Sequence, residues 1–126
     1  MVKVRHPHAF GLRIRIVFGD GLIIGPGRAD LLEGIRQSGS IAAAGRRMGM
    51  SYKRAWQLAD ALNTTFREPL ISATKGGVTG GGAQLTPLGV EVLEAYRALE
   101  RTAQATSESQ LATLRDALPV KRTISE

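Results

Sequence analysis

The sequence has 126 residues, no cysteine, an apolar fraction of 43% and a formal net charge of +6 at pH 7. The length and the apolar fraction are those of one globular domain, and the absence of cysteine excludes disulfides, thiolate metal sites and a cysteine nucleophile. No apolar run approaches the ~18 residues of a membrane-spanning helix, and the N-terminus has no apolar stretch of signal-peptide length, so we expect a cytoplasmic protein without membrane contact.

The charged residues are unevenly distributed along the chain. Residues 1–28 contain five basic residues and one acidic residue, and residues 36–75 contain seven and two. Residues 91–126, in contrast, contain five basic and six acidic residues. The basic N-terminal part of the chain favours an anionic partner such as a nucleic acid. The nearly neutral C-terminal part favours a different function.

A β-hairpin is predicted near the N-terminus. Residues 12–16 alternate between apolar and basic side chains, which is the period-two pattern of a half-buried strand. Asp20 and Gly21 supply turn residues, and the apolar residues 22–24 are predicted to return as the second strand. Residues 25–27, Gly-Pro-Gly, then end the hairpin.

Three helices are predicted after the hairpin. The first covers about residues 28–37, where the apolar residues follow a helical period. Ser40 is a favourable N-cap for a short second helix, and Gly49 is suited to its left-handed C-terminal end. Ser51 is the N-cap of the third helix, which is predicted over about Ser51–Phe66. Two helices joined by a tight turn in this way have the spacing of a helix-turn-helix.

The small and apolar residues of the second and third helices predict how these helices pack. Residues 42–44 are alanines, small enough for the third helix to cross close to the second. Trp56 lies one step off the apolar stripe of the third helix, and we expect it to pack in the core with only its edge exposed. The side chains predicted to face inward from the third helix are Tyr52, Ala55, Ala59, Leu62 and Phe66.

A second hairpin and two further helices complete the predicted fold. Residues 70–74 and 83–85 are predicted strands, and the glycine-rich segment between them is the tip of a wing that directly follows the third helix. Thr86 and Pro87 are a suitable N-cap and first residue for a fourth helix. Residues 107–110 have a capping-box pattern, which predicts a last helix over about residues 108–118. The predicted fold class is mainly α with small β hairpins (α+β): a winged helix-turn-helix with an N-terminal hairpin and C-terminal helices.

Two strings in the sequence are similar to a known family. These are QSGSI…GMSYKRAW within residues 37–56 and ATKGG…GGGA…LTPLG within residues 73–89. In this order and at this separation they resemble the N-terminal domain of molybdate-dependent transcriptional regulators, the ModE family, which is related to the winged helix-turn-helix of LysR-type regulators. The resemblance covers roughly residues 11–100 and implies DNA binding and dimerisation.

We expect a corresponding domain organisation. Residues 1–10 are predicted to be a flexible arm, residues 11–85 the DNA-binding domain, residues 86–118 the dimerisation helices and residues 119–126 a tail. The resemblance also implies that full-length family members continue into oxyanion-binding domains that sense molybdate. Because the sequence stops at Glu126, too early for such a domain, we expect no molybdate site within this chain.

The start of the third helix is the part of the protein predicted to contact the DNA bases. In a helix-turn-helix the second helix of the pair enters the major groove, and its N-terminal residues reach base edges. Lys53 and Arg54 suit the acceptors of guanine, and Gln57 suits adenine, although a solvated helix face is the alternative for such residues. The predicted DNA-contacting residues of this helix are Ser51, Tyr52, Lys53, Arg54 and Gln57.

Four further residues are candidate contacts to the DNA backbone. Arg46 and Arg47 end the second helix, where positive charge also suits a helix C-terminus without any ligand. In the wing, glycines allow the backbone to approach phosphates closely, and Lys75 and Thr79 add a charge and a hydroxyl. A hairpin tip without a binding role is the alternative there.

The sequence contains no constellation for catalysis or metal binding. It has no nucleophile with a neighbouring base and no paired carboxylates on one helix face, and His6 and His8 lack a third ligand. The glycine-rich segment lacks the Gly-Lys-Ser/Thr of a P-loop. We therefore expect a protein that is not an enzyme and needs no cofactor or metal.

The favoured hypothesis is a sequence-specific transcriptional regulator that binds double-stranded DNA as a homodimer. Two alternatives remain: a nonspecific DNA-binding protein, and a protein-interaction module whose C-terminal helices dock a partner. The apolar stripes of these helices are expected to contact either a second copy of the chain or a partner protein. Their residues are Leu88, Val92, Ala95, Tyr96 and Leu99 in the fourth helix, and Leu111, Leu114 and Leu118 in the fifth.

Overall fold

A computed structural model describes residues 11–19, 21–74 and 82–120. The N-terminal arm, Asp20, the wing tip with Lys75 and Thr79, and residues 121–126 lie outside the described residues. The elements are β1 (Ile16–Phe18), β2 (Gly21–Ile24), α1 (Pro26–Ser38), α2 (Ile41–Arg47), α3 (Tyr52–Thr65), β3 (Ile71–Thr74), β4 (Gly82–Leu85), α4 (Pro87–Thr106) and α5 (Glu108–Asp116). The prediction of a mainly helical fold with two small hairpins is confirmed.

Both hairpins are antiparallel. In the wing, β3 and β4 pair in a regular register from Ile71 opposite Leu85 to Thr74 opposite Gly82. In the first hairpin, Ile16 pairs with Ile24, and the register shifts between Ile16 and the next residue. The predicted first strand over residues 12–16 is therefore wrong, since the strand begins where that segment ends.

The segment before β1 is held by a helix and not by a neighbouring strand. The hydroxyl of Tyr96 on α4 donates a hydrogen bond of 2.6 Å to the carbonyl oxygen of Ile14. Tyr96 is buried, so this bond ties the entry of the chain to the core. Leu12, Arg13 and Ile14 are all half-buried against the body of the domain, and a period-two pattern does not distinguish such packing from strand pairing.

The core is arranged around α1, which packs against α2, α3, α4 and β4. Leu31, Leu32 and Ile35 of α1 are completely buried. Leu62 of α3 and Leu93 of α4 are buried in the same cluster. Because α1 contacts α2, α3 and α4, the packing of these three helices depends on it.

Two glycines allow the helices to cross closely. A Cβ added to Gly34 on α1 would lie 2.8 Å from the Cβ of Ala44, and one added to Gly45 on α2 would lie 2.6 Å from the Cβ of Ala55. Ala44 therefore faces α1, and Gly45 makes the close contact with α3. The expectation that residues 42–44 form the contact with the third helix is corrected for Ala44, which packs against α1, while Gly45 provides the room for α3.

Buried charges connect α1 to α4. The guanidinium of Arg97 lies 3.0 Å from Asp30, 3.6 Å from Glu33 and 3.1 Å from Glu100. Asp30 and Glu33 are buried, and burial raises the pKa of the Asp30 carboxyl although Arg97 opposes that shift. Removal of one partner from such a cluster leaves buried charge without compensation, so Arg97 holds α4 in place.

Three local predictions are corrected by the structure. Tyr52 does not face inward: it is 66% exposed at the start of α3. The capping box at residue 107 does not form, because the Ser107 hydroxyl donates a 2.6 Å hydrogen bond back to the carbonyl of Ala103 and makes no cap. On α4, Ala95 is exposed although its neighbour Tyr96 is buried, and Leu99 in the second half of the helix is 40% exposed.

The close crossing at Gly45 has a measurable effect on stability. We expect Gly45→Ala to lower the free energy of unfolding by about 1–3 kcal/mol, because its methyl group displaces α3. Gly27→Ala is the matched control, since a Cβ at Gly27 has no atom within 4 Å. Urea unfolding of both variants measures the difference, and equal midpoints would contradict the crossing described here.

The Tyr96 hydroxyl makes stability depend on pH in the alkaline range. Burial, followed by the charge of Glu100, raises the pKa of Tyr96 from 10.0 to about 12. Its contribution is complete below the pKa of the unfolded chain and is lost as the pH rises through the folded value. Tyr96→Phe is expected to cost about 1 kcal/mol near neutral pH through the lost hydrogen bond.

Urea titrations at about pH 8 and about pH 11 test this linkage. The wild type should lose more stability over this interval than Tyr96→Phe, which has no group to ionise at that position. An identical loss in both proteins would show that Tyr96 does not contribute to the alkaline transition.

Candidate nucleic-acid interface

The start of α3 is fixed by two caps and a glycine turn. The hydroxyl of Ser40 accepts a 3.0 Å hydrogen bond from the Ala43 amide at the start of α2. Gly49 adopts φ +74 after α2, which is the left-handed conformation that favours glycine. The Ser51 hydroxyl then accepts a 3.1 Å hydrogen bond from the Arg54 amide. These local bonds set the direction in which α3 leaves the turn.

The first turns of α3 present polar and basic side chains to solvent. Tyr52, Lys53, Arg54 and Gln57 are all exposed, and the first turn of α3 has no acidic residue. No hydrogen bond or ion pair within the described part of the chain engages the side chains of Lys53, Arg54 and Gln57. The helix N-terminus adds its own positive partial charge. This end of α3 is therefore suited to contact with an anion.

The opposite face of the same helix is buried. Ala55, Ala59 and Leu62 lie in the core, as predicted from their spacing. Trp56 is half-buried and packs against the core, in agreement with the expectation for it. Its ring lies 6.2 Å from that of Tyr52 at an interplanar angle of 59°. The ring of Trp56 thus lies next to that of Tyr52, and the phenol of Tyr52 remains exposed.

The two arginines at the end of α2 differ in their surroundings. Both Arg46 and Arg47 are exposed. Arg47 donates a 3.0 Å hydrogen bond to the side-chain oxygen of Gln37 on α1, so it also links the two helices. Arg46 has no such bond to the described residues, which leaves its guanidinium accessible.

A residue that the sequence reasoning missed attaches the wing to α3. The side-chain oxygen of Asn63 accepts hydrogen bonds of 2.9 Å from the amides of Leu70 and Ile71, and its side-chain nitrogen donates one of 3.0 Å to the Ile71 carbonyl. At the far end of the wing strands, the Gly82 amide donates to the Thr74 hydroxyl at 3.1 Å. A polar residue late in α3 and just before a strand is the signal that indicates such a role.

A second missed feature is a cavity of about 370 Å³ beside the exposed face of α3. Arg15 and the start of α1, with Arg28, form one wall. Met48 and Met50 from the turn and Arg54 and Gln57 from α3 line the other parts. The cavity therefore lies between the start of α3, which is predicted to contact DNA bases, and the base of the N-terminal hairpin.

Within the described ranges, no group of three or more histidine, cysteine or acidic residues is placed to hold a metal ion. Among the same residues, no helix is both long and apolar enough to cross a membrane.

The fold is that of a winged helix DNA-binding domain. The chain is similar to the LysR-type domain in the crystal structure of a CbnR_DBD–DNA complex, with a TM-score of 0.52 and 24% identity. The similarity covers 68% of this chain and 94% of that one. At this level of identity the comparison establishes the fold class.

Comparison with curated sequences identifies the relatives. The chain is 45% identical over 80 residues to the molybdenum-pterin-binding protein MopB of Rhodobacter capsulatus, which is 64% of this chain and 30% of that protein. It is 39% identical over 89 residues to the transcriptional regulator ModE of Haemophilus influenzae, which is 71% of this chain and 35% of that protein. No family model matches the chain.

Over its N-terminal part the chain is thus a homologue of the ModE regulators, and the resemblance in its sequence is confirmed. The chain spans about a third of the length of the curated relatives it matches. The comparison therefore concerns the winged helix region.

Proposed function

We propose that this protein is a transcriptional regulator that binds double-stranded DNA with α3 in the major groove. The observation that carries the proposal is the exposed, acid-free and basic start of α3, placed directly after a tight turn in a winged helix fold. The relation to ModE regulators supports it. We further propose that the protein is cytoplasmic, is not an enzyme and requires no cofactor for DNA binding.

Individual residues are assigned by their chemistry and position. Arg54 and Lys53 are proposed to donate to guanine, and Gln57 to pair with adenine. Ser51 and Tyr52 lie at the same exposed end of the helix. Arg46 and Arg47 are proposed to contact the backbone on one side of α3, and the wing residues Lys75 and Thr79 the backbone on the other.

A homodimer is proposed to form through the C-terminal helices. Leu114 of α5 is 66% exposed, Leu118 just after the end of α5 is 59% exposed, and Leu99 of α4 is 40% exposed. Apolar side chains repeated along two helices are covered at low cost by the same face of a second copy. A two-fold axis would place two α3 helices at half-sites ~34 Å apart.

Selection of random DNA by the purified protein tests the specificity. Repeated rounds of binding and sequencing are expected to enrich an inverted repeat with half-sites about one helical turn apart. If no sequence is enriched and every sequence is bound in a salt-sensitive manner, the protein binds DNA nonspecifically. Absence of binding at low salt would favour the protein-interaction module.

The selected operator allows a test of base contact by Arg54. We expect Arg54→Ala to weaken binding by about 1–3 kcal/mol and to relax the preference at one base position. Arg101→Ala, an exposed change on α4, is the control and should bind normally. Binding isotherms on single-base operator variants measure both effects. A loss of equal size on all sequences would assign Arg54 to a phosphate.

The C-terminal apolar face allows a test of the dimer. Leu114→Glu should shift the protein to a monomer at micromolar concentration, because a charge opposes burial of that face. Ser109→Glu introduces the same charge at an exposed polar position on the opposite side of α5 and should remain dimeric. Size-exclusion chromatography with light scattering measures the mass. A dimer that survives Leu114→Glu would leave the face available for a partner protein.

A further inference from the structure

The charged residues that are described at the cavity beside α3 are all basic. Among the described residues, its lining includes three arginines, Arg15, Arg28 and Arg54, and no acidic residue. Arg28 is held in place because it donates hydrogen bonds of 3.2 Å to the Ile23 carbonyl and 3.3 Å to the Thr65 hydroxyl. Three positive charges around one cavity make it attractive to an anion.

The position of Arg15 follows from a close backbone approach. A Cβ on Gly25 would lie 3.4 Å from the Cγ of Arg15, so the stem of Arg15 lies over the residue that precedes α1. Gly25 provides no side-chain cap for this helix. Arg15 is exposed and makes no hydrogen bond or ion pair with the described residues. Its guanidinium is therefore available at the mouth of the cavity.

Except for Gln57, the other side chains that line the cavity are apolar. Met48 and Met50 from the turn lie beside Leu58 and Ala61 from α3. A surface of this kind suits the sugar that accompanies a phosphodiester, while the arginines suit its charged oxygens. The cavity thus offers apolar surface for the sugar and basic residues for the phosphate of one nucleotide.

We propose that this cavity binds a phosphate of the DNA strand that borders the groove occupied by α3. Arg54 and Gln57 belong both to the cavity and to the exposed face of α3, so DNA bound to that face has its backbone at the cavity mouth. The N-terminal hairpin then extends the DNA interface beyond the helix-turn-helix. This inference rests on the proposed function. A free phosphorylated small molecule has the same chemistry and is distinguished by the experiment.

The test uses Arg15→Gln in the full chain, with Arg15→Lys and Arg101→Gln as controls. Affinity for DNA is measured over a series of salt concentrations, on an operator and on unrelated sequences. Loss of one phosphate contact should reduce the log–log salt slope by about 0.9 and weaken binding roughly eightfold at ~0.1 M salt, equally on all sequences. Arg15→Lys should keep the slope, and Arg101→Gln should behave as the wild type.

Two results would overturn the proposal. The first is an Arg15→Gln variant that binds DNA with wild-type affinity and slope while the wild type binds well. The second is saturable binding of inorganic phosphate, followed by the amide resonances of Gly25 and Gly27, that Arg15→Gln abolishes without change in DNA affinity. The second result would assign the cavity to a free anion. A wild type that binds no DNA would instead reject the proposed function, and this inference with it.

Discussion

The close crossing of α1, α2 and α3 is the constraint on which the rest of the structure depends. Gly34 against Ala44 and Gly45 against Ala55 leave no room for a larger side chain at either contact. Since protein interiors are close-packed, an additional methyl group must displace a helix. The orientation of the exposed start of α3 relative to the core therefore depends on two contacts between small residues, all of which are buried.

The elements around this crossing are attached by polar bonds with defined geometry. Asn63 fixes the wing to α3, and Arg97 fixes α4 to α1 through Asp30 and Glu33. Such bonds are directional, so they orient an element as well as stabilise it. The proposed DNA-reading helix, wing and dimerisation helices are consequently parts of one connected arrangement, and a change in α4 is expected to reach α3 through α1.

The N-terminal hairpin takes part in the same arrangement. Tyr96 holds the segment before β1 through the Ile14 carbonyl, and the adjacent Arg15 is thereby placed at the start of α1. In the proposed interface this position gives the hairpin a role beyond covering the core. Of the two basic residues in this segment, Arg15 is exposed, whereas Arg13 is half-buried and one nitrogen of its guanidinium is shielded from solvent.

The features that the sequence by itself determined are those that short-range bonds create. Ser40, Ser51 and Thr86 each cap the helix predicted to follow them, because a cap joins residues three positions apart. The family strings likewise indicated the winged helix fold. Tertiary structure alone decided the exposure of Tyr52, the contact of Gly45 with α3, and the placement of Arg15 and Arg54 around one cavity. These outcomes depend on which surfaces meet across long sequence separations, and local spacing carries no information about such meetings.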